Sequence, residues 1–262
     1  MFKTSLLIVL SIILADNSAQ ADISASLPRI INGKPITIDR VPAQASVFRL
    51  NTFICGAIII SRRTAITAGH CVLFYQYRPE AYQLRYGSSL TSSEKRVQVA
   101  RVSIFPAYSH TTLNYDLAVL TLEDDVDVPF ARLPEIDSTI DPGTTLTAVG
   151  WGLTENSSTS TELLMTRLKA ISLQECRDVN PGWLLSDNMF CAVGAGSTTC
   201  GGDSGNGIYS LENSLKDSLK PEVLLGVISW GDTSCSIIPA RPAGFADLAN
   251  REMRQWMKKL VI

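Results

Sequence analysis

Short apolar segments separated by polar turns run through the first half of the chain. Residues 53–60 form a nearly continuous apolar run, which is typical of a β-strand buried on both faces. Residues 96–105 alternate between apolar and polar positions, and residues 116–122 also alternate. This period of two predicts further strands.

A second set of such segments follows a loop-like stretch, residues 134–143, which contains two prolines and a glycine. Its members cover residues 145–151, 163–171, 188–193 and 223–230. Many short strands separated by turns favour an all-β fold, either a closed barrel or a sandwich. We therefore interpret the loop as the link between two halves.

The C-terminus alone has a helical pattern. Met253, Trp256, Met257 and Leu260 recur at the spacing of one helix face, and lysines follow in the last turn, where cations suit the helix dipole. We predict a packing helix over about residues 249–260.

The N-terminus resembles an export signal. Lys3 precedes a short apolar run, residues 6–15, and Ala19-Gln20-Ala21 follows it. This order predicts a signal peptide, residues 1–21, cleaved after Ala21. The run is too short for a membrane anchor, which needs about 20 apolar residues, so we expect a secreted, extracellular protein.

Composition narrows the possible partners and indicates disulfides. Only 18% of the 262 residues are charged and the formal net charge is −2, which gives no reason to expect a nucleic-acid or membrane partner. An even number of cysteines in an oxidising compartment indicates three disulfides, although about 15 pairings are possible. A zinc site is disfavoured because there is no C-x-x-C pair and the two histidines lie far apart. The six cysteines are Cys55, Cys71, Cys176, Cys191, Cys200 and Cys235.

A glycine-rich turn surrounds Ser204 in the sequence Cys-Gly-Gly-Asp-Ser-Gly-Asn-Gly, residues 200–207. Glycine permits tight turns with positive φ, which would expose the Ser204 hydroxyl and direct the Gly202 and Ser204 amides to one point. Two converging N–H groups are what a developing oxyanion requires. The alternative is an ordinary surface turn.

A serine nucleophile needs a base and an acid that orients it. His70 lies between a small-residue turn and a cysteine, whereas His110 lies in a polar loop and is better interpreted as solvated. Asp116 begins an apolar strand, where an unpaired carboxylate would be costly. His70 and Asp116 are therefore the candidate base and acid.

The order of these three residues and the motifs around them resemble the chymotrypsin/trypsin family of secreted serine endopeptidases. The resemblance covers residue 30 to the C-terminus and implies two perpendicular six-stranded antiparallel β-barrels, about residues 30–135 and 143–248, with the active site between them. The motifs are Arg29-Ile30-Ile31-Asn32-Gly33, Thr67-Ala68-Gly69-His70-Cys71, Asp116-Leu117-Ala118, Gly150-Trp151-Gly152, Gly202-Asp203-Ser204-Gly205 and Ser229-Trp230-Gly231.

The resemblance also assigns roles. It implies that His70 takes the Ser204 proton and delivers it to the leaving amine, while Asp116 holds the imidazole tautomer. Ser229 resembles the family serine that hydrogen-bonds this aspartate. The implied disulfides are Cys55–Cys71, Cys176–Cys191 and Cys200–Cys235.

Asp203 points to activation by cleavage, because a buried carboxylate without a partner is costly. In the family, cleavage frees an amino group that pairs with this aspartate and orders the oxyanion amides. The resemblance therefore implies a zymogen with a propeptide, residues 22–29, that an upstream Arg-specific protease cuts after Arg29 to free Ile30. No cysteine lies in this propeptide, so we expect it to be released.

The resemblance places Thr198, Gly231 and Ala243 at the specificity pocket. Thr198 replaces the aspartate of trypsin-like members, so little would offset the desolvation of an Arg or Lys side chain. Gly231 leaves the entrance open, and Ala243 narrows the wall by a methyl group. We expect a chymotrypsin-like preference for Phe, Tyr, Leu or Met, with trypsin-like specificity as the alternative; Asp232 at the rim adds only an exposed charge.

Other departures and partners complete the prediction. Asn206-Gly207 replaces the family's Gly-Pro; because asparagine tolerates positive φ, we expect a functional turn, with reduced efficiency as the alternative. The alternative function is a catalytically silent, partner-binding homologue, which is disfavoured because all three triad residues are kept. Asn156 begins a glycosylation sequon. No cofactor, calcium site or other metal is expected. The expected partners are polypeptide substrates and protein protease inhibitors, and we expect a monomer.

Overall fold

Six strands of the first half close into an antiparallel barrel in the order β2-β3-β4-β7-β6-β5. In this computed structural model the described residues are 33–93, 95–153, 159–211, 221–232, 234–235, 237 and 240–262. Both Ile58 and Ile59 are fully buried, as the continuous apolar run predicts. The strands are β2 (Gln44–Arg49), β3 (Thr52–Ser61), β4 (Thr64–Thr67), β5 (Tyr82–Tyr86), β6 (Arg96–Ile104) and β7 (Ala118–Leu122).

The second half repeats this architecture. Its strands follow the order β9-β10-β13-β12-β11-β8, and pairing of β8 with β9 closes the ring, while the short strand β1 (Lys34–Pro35) adds to β9. The strands are β8 (Thr145–Gly150), β9 (Leu164–Ile171), β10 (Met189–Val193), β11 (Gly207–Leu211), β12 (Pro221–Trp230) and β13 (Ala243–Asp247). The prediction of two six-stranded antiparallel barrels is confirmed.

In the described part of the chain, three α-helices accompany the barrels. Helix α1 (Gly69–Val72) follows β4, and α2 (Leu173–Val179) begins with a capping box between Ser172 and Glu175. The predicted C-terminal helix is present as α3 (Arg251–Lys258). Asn250 caps it by accepting a hydrogen bond from the Met253 N–H at 3.1 Å.

Helix α3 packs back on the first barrel. Met253 and Met257 are buried in the core cluster that includes Ile58 and Leu120. Trp256 meets Phe105 edge to face with 5.2 Å between ring centroids. The apolar helix face therefore joins the two halves of the chain.

Three disulfides join Cys55 to Cys71, Cys176 to Cys191 and Cys200 to Cys235. This is the pairing that the family resemblance implied. The first ties β3 to α1, and the third ties the segment before Ser204 to the segment after β12. Both lie beside the predicted active-site residues. None of the helices in the described part of the chain is long and apolar enough to cross a bilayer.

Candidate active site

His70 lies at the start of α1, directly after the buried strand β4. The disulfide of Cys71 fixes this turn to β3. A Cβ atom at Gly69 would lie 3.2 Å from Asp116 Oδ1, so the glycine allows the two segments to approach closely. The fold thus brings the predicted base against the predicted acid.

Asp116 is almost fully buried, with 1% of its surface exposed. Its Oδ2 lies 2.8 Å from His70 Nδ1 and accepts a 2.5 Å hydrogen bond from the Ser229 hydroxyl. Its Oδ1 accepts the His70 backbone N–H at 2.9 Å. These three donors offset the cost of burying the Asp116 carboxylate and orient the imidazole. Burial of the Tyr108 phenol and the negative charge of Asp116 raise the pKa of Tyr108.

Ser204 lies between two glycines with positive φ, +85° at Gly202 and +80° at Gly205. A Cβ at Gly205 would lie 2.3 Å from the Gly56 carbonyl oxygen, so a larger residue would disrupt this turn. The Gly56 N–H donates a 2.8 Å hydrogen bond to the Ser204 carbonyl. The first barrel thereby holds the turn that carries Ser204.

His70 and Ser204 line neighbouring cavities. His70 borders one of about 450 Å³ and Ser204 one of about 350 Å³, and Leu113 and Trp183 line both. Among the contacts of the described residues there is no hydrogen bond between the Ser204 hydroxyl and His70, whose Nε2 lies 3.7 Å from Cys71 Sγ. In enzymes without substrate such bonds are often long or poorly aligned.

The two predicted oxyanion donors have no partner within the described part of the protein. Neither the Gly202 N–H nor the Ser204 N–H donates a hydrogen bond there. Both residues are only partly buried. Unpaired N–H groups that are not fully buried are able to donate hydrogen bonds to a ligand's oxygen.

Asp203 is fully buried directly before Ser204. Its carboxylate accepts the Gly152 N–H at 2.9 Å and the Cys200 N–H at 2.8 Å. These bonds favour the charged form, but burial outweighs them and raises the pKa of Asp203 to about 7. The two backbone donors alone do not compensate for burial of the charge.

The cavity beside Ser204 is mainly apolar. Gly231 lines it, and its charged lining residue among those described is Asp232. The remaining lining residues are Leu113, Leu153, Trp183, Thr199, Cys200, Gly201, Ile228 and Trp230.

Thr199 is one of the lining residues that the sequence analysis missed. A Cβ at Gly231 would lie 3.6 Å from the Thr199 hydroxyl oxygen and 3.8 Å from the Ala243 Cβ, so Gly231 lies next to both residues. Thr198 is buried next to Thr199 and its hydroxyl donates to the Thr199 carbonyl at 3.2 Å. Thr199 directly follows Thr198 in the sequence, and this adjacency was the available signal. The placement of Thr198 at the pocket floor stays a prediction.

Potential metal-ligand atoms of Cys55, His70 and Cys71 lie within 4.8 Å of one another. Both sulfur atoms belong to one disulfide and offer no thiolate. This group is therefore unsuited to hold zinc. His110, interpreted as solvated, is exposed and lines the same cavity as His70.

Several predicted residues lie outside the described ranges. They are the signal peptide 1–21, the propeptide 22–29 with Arg29, the new terminus Ile30, and the sequon residue Asn156.

Comparison with known proteins identifies the family. A family model described as Trypsin matches residues 30–256. The chain is 32% identical over 242 residues to "Trypsin 5G1" of Aedes aegypti, covering 88% of this chain and 85% of that protein. It is 30% identical over 241 residues to "Trypsin iota" of Drosophila melanogaster, covering 88% of each. The chain therefore belongs to the trypsin family and is a serine endopeptidase, a hydrolase of polypeptide substrates.

Proposed function

We propose that this endopeptidase cleaves peptide bonds through a triad of Ser204, His70 and Asp116. The observation that carries the proposal is the buried contact of 2.8 Å between His70 Nδ1 and Asp116 Oδ2. It leaves Nε2 as the proton acceptor, and the cavity that His70 borders adjoins the one that Ser204 lines, with Leu113 and Trp183 common to both. Ser229 supports the triad by its hydrogen bond to Asp116.

In the proposed reaction the Ser204 hydroxyl attacks the carbonyl carbon of the substrate while His70 accepts its proton. The tetrahedral oxyanion receives hydrogen bonds from the Gly202 and Ser204 N–H groups. His70 then protonates the leaving amine, which departs and leaves an acyl-enzyme on Ser204. Water, deprotonated by His70, hydrolyses the ester and restores the hydroxyl.

A fluorophosphonate probe tests this mechanism, because it phosphonylates an activated serine. We expect labelling of the wild-type protein after cleavage at Arg29 and none of Ser204→Ala, with Ser210→Ala, a serine six residues further on, as the labelled control. A cleaved protein that neither reacts with the probe nor hydrolyses any peptide would support the silent homologue instead.

The proposal includes activation of a secreted zymogen. Signal peptide removal after Ala21 and cleavage after Arg29 by an Arg-specific protease would free the Ile30 amino group. Asp203, whose charge two backbone donors leave under-compensated, is the acceptor for this cation. N-terminal sequencing of the secreted and activated forms should give sequences that begin at Asp22 and at Ile30, respectively.

The proposal has four further parts. We propose that Asn156 carries a sugar, that the protein is a monomer, that protein protease inhibitors inhibit it and that it uses no cofactor.

We propose a preference for Phe, Tyr, Leu or Met next to the scissile bond. The apolar lining of the Ser204 cavity supports it. The Ala243 Cβ would lie 3.8 Å from a Cβ at the lining residue Gly231, and we propose that this methyl group narrows the pocket against the widest side chain, Trp. Asp232 and the names of the two relatives, both trypsins, favour trypsin-like cleavage after Arg or Lys. A peptide library profile of the activated enzyme decides between them: dominant cleavage after Arg or Lys would overturn the apolar preference.

A further inference from the structure

Three buried polar side chains lie behind the Ser204 turn, at the position where the chain departs from the family's Gly-Pro. They are Gln44 on β2, Asn206 in the turn and Tyr209 on β11, which we call the amide relay. At most 5% of each residue's surface is exposed. Buried polar groups of this kind are costly unless each finds a partner.

The relay is a directed chain of hydrogen bonds. The Tyr209 hydroxyl donates to Gln44 Oε1 at 3.1 Å, and Gln44 Nε2 donates to Asn206 Oδ1 at 2.5 Å. Asn206 Nδ2 then donates to the Asp203 carbonyl oxygen at 3.0 Å. Burial raises the pKa of Tyr209, which keeps the phenol a donor. Each amide orientation therefore follows from the preceding one.

Glycines provide the space for the relay. A Cβ at Gly56 would lie 2.0 Å from Asn206 Oδ1, and one at Gly150 would lie 2.7 Å from Asn206 Nδ2. A Cβ at Gly207, where the family has proline, would lie 2.6 Å from the Tyr209 ring. The two departures from the family turn, Asn206 and Gly207, thus serve one buried network.

The end of the relay is the peptide group that carries a proposed oxyanion donor. The Asp203 carbonyl and the Ser204 N–H belong to one planar peptide, so fixing the carbonyl fixes the direction of the N–H. The Asn206 backbone N–H also donates to this carbonyl, at 3.1 Å. Asn206 therefore holds the same oxygen through its main chain and its side chain.

We propose that Asn206 is a positioning residue for the oxyanion site, and that Gln44 and Tyr209 orient it from the first barrel and from β11. The proposal rests on the proposed function, because it assigns a purpose to the Ser204 N–H. Without the side-chain bond the Asp203–Ser204 peptide would keep one anchor and would rotate more freely.

Asn206→Ala tests the proposal, with Asn250→Ala as the matched control. Asn250 also forms one side chain–backbone hydrogen bond, but it caps α3 instead of the active-site turn. All proteins are cleaved after Arg29 before measurement of kcat, KM, and inhibition by a peptide boronic acid. The boronate forms a tetrahedral adduct on the serine with one oxygen in the oxyanion position.

We expect Asn206→Ala to lower kcat about 10-fold, the effect of one lost hydrogen bond, with KM changed less than about 2-fold. The inhibition constant of the boronate should rise by the same factor as kcat falls. Asn250→Ala should be destabilised but should keep its kcat. If both variants lose stability while kcat and boronate inhibition stay at the wild-type values, Asn206 is only structural and the proposal is wrong.

Gln44→Met provides a second test, used alone if Asn206→Ala does not fold and in combination with it otherwise. Methionine fills a similar volume but leaves Asn206 Oδ1 without its donor. We expect a smaller fall in kcat, about 3-fold, and no further loss when it is combined with Asn206→Ala, because both act on one peptide. Independent, multiplying losses would contradict the relay. Wild-type kcat and boronate inhibition in Gln44→Met alone would also contradict the relay. An inactive wild-type enzyme would instead reject the proposed triad, so the two failures are distinguishable.

Discussion

The two halves of the active site are held in different ways. In the first barrel, Asp116 receives three short hydrogen bonds and fixes the imidazole of His70. In the second barrel, Ser204 lies in a turn with two positive-φ glycines, two N–H groups that have no partner among the described residues, and a fully buried carboxylate. The proposed base is thus pre-organised, whereas the proposed nucleophile lies in a turn that carries an under-compensated charge.

Under the proposed zymogen activation, this difference would explain how one fold is kept inactive and then made active. A switch is best placed where the interactions are incomplete, and Asp203 is the incomplete position. A new cation beside it would stabilise the turn without disturbing the His70–Asp116 contact. The comparison therefore predicts which substitutions affect chemistry directly and which affect it through the turn.

The largest effect is expected from Asp116→Asn, which disrupts the pre-organised half of the site, the contact between His70 and Asp116 that we call the rigid half. An amide at this position would present an N–H to one of the three donors and favour the wrong imidazole tautomer. We expect kcat/KM to fall by about 10³-fold or more at neutral pH, within the range of general-base effects. The measurement is hydrolysis of a peptide anilide. Asp125→Asn, which changes an exposed acid in the same barrel, should keep full activity. Full activity of Asp116→Asn would remove Asp116 from the triad.

Asp203→Asn should change the pH dependence of stability in the uncleaved chain. The pKa of Asp203 is about 7 when folded, against an ordinary 3.8, so the folded state binds more protons between these values. Wild-type stability is therefore fully present below about pH 4 and declines as pH rises to 7, by about 4 kcal/mol at most. The asparagine variant lacks this decline.

Chemical denaturation of both proteins from pH 4 to pH 8 measures this difference. Cleavage after Arg29 should abolish most of the wild-type decline, because a cation beside Asp203 lowers its pKa. Parallel stability curves for the two uncleaved proteins would contradict the account of Asp203.

Gly202→Ala should disturb the turn and one oxyanion donor. The residue has a φ of +85°, and the added Cβ would lie 3.3 Å from the Gly152 Cα. We expect kcat to fall about 10²-fold, the effect of losing one oxyanion donor. Gly143→Ala is the control, since its φ of +87° gives the same backbone strain with no atom within 4 Å of the new methyl group. If kcat falls equally in both variants, backbone strain alone causes the loss; if kcat of Gly202→Ala stays at the wild-type value, Gly202 is not needed for the proposed oxyanion site.

Ser229→Ala removes a bond between the halves, from β12 of the second barrel to Asp116. The His70 contacts remain, so we expect kcat to fall about 10-fold, equivalent to one hydrogen bond to a charged group. Steady-state kinetics measure the effect, and Ser229→Thr, which keeps the hydroxyl, should recover part of it. A loss as large as that of Asp116→Asn would mean that the rigid half depends on the second barrel.

Much of the fold followed from sequence because its strands are apolar on the side that packs. The run at 53–60 predicted β3, and the spacing of Met253, Trp256 and Met257 predicted α3. Strand β2 was missed because Gln44 and Ser46 are buried polar residues that interrupt the apolar pattern. Helix α2 is short, but its Ser172–Glu175 capping box was a usable signal.

The site divides in the same way. His70, Asp116 and Ser204 lie in recognisable motifs, whereas Leu113 and Trp183 come from loops whose meeting only the folded chain reveals. The bond between Gln44 and Asn206 joins residues 162 positions apart. Local pattern carries no information about such a contact, because it arises from how the two barrels pack.

Asp232→Asn is expected to have the smallest effect and sharpens the view of the pocket beside the nucleophile. The Asp232 carboxylate accepts the Ser234 N–H at 3.2 Å and the Ser234 hydroxyl, so part of its charge is already directed into its own turn. An apolar substrate side chain gains nothing from this charge, and kcat/KM for Phe or Leu substrates should change less than about 2-fold. Cleavage after Arg, if detectable, should fall further because a partly exposed anion still attracts a cation. A peptide library profile of both proteins measures the two effects together. If the wild-type enzyme cleaves mainly after Arg or Lys and Asp232→Asn loses that cleavage, Asp232 is the specificity determinant and the pocket is trypsin-like.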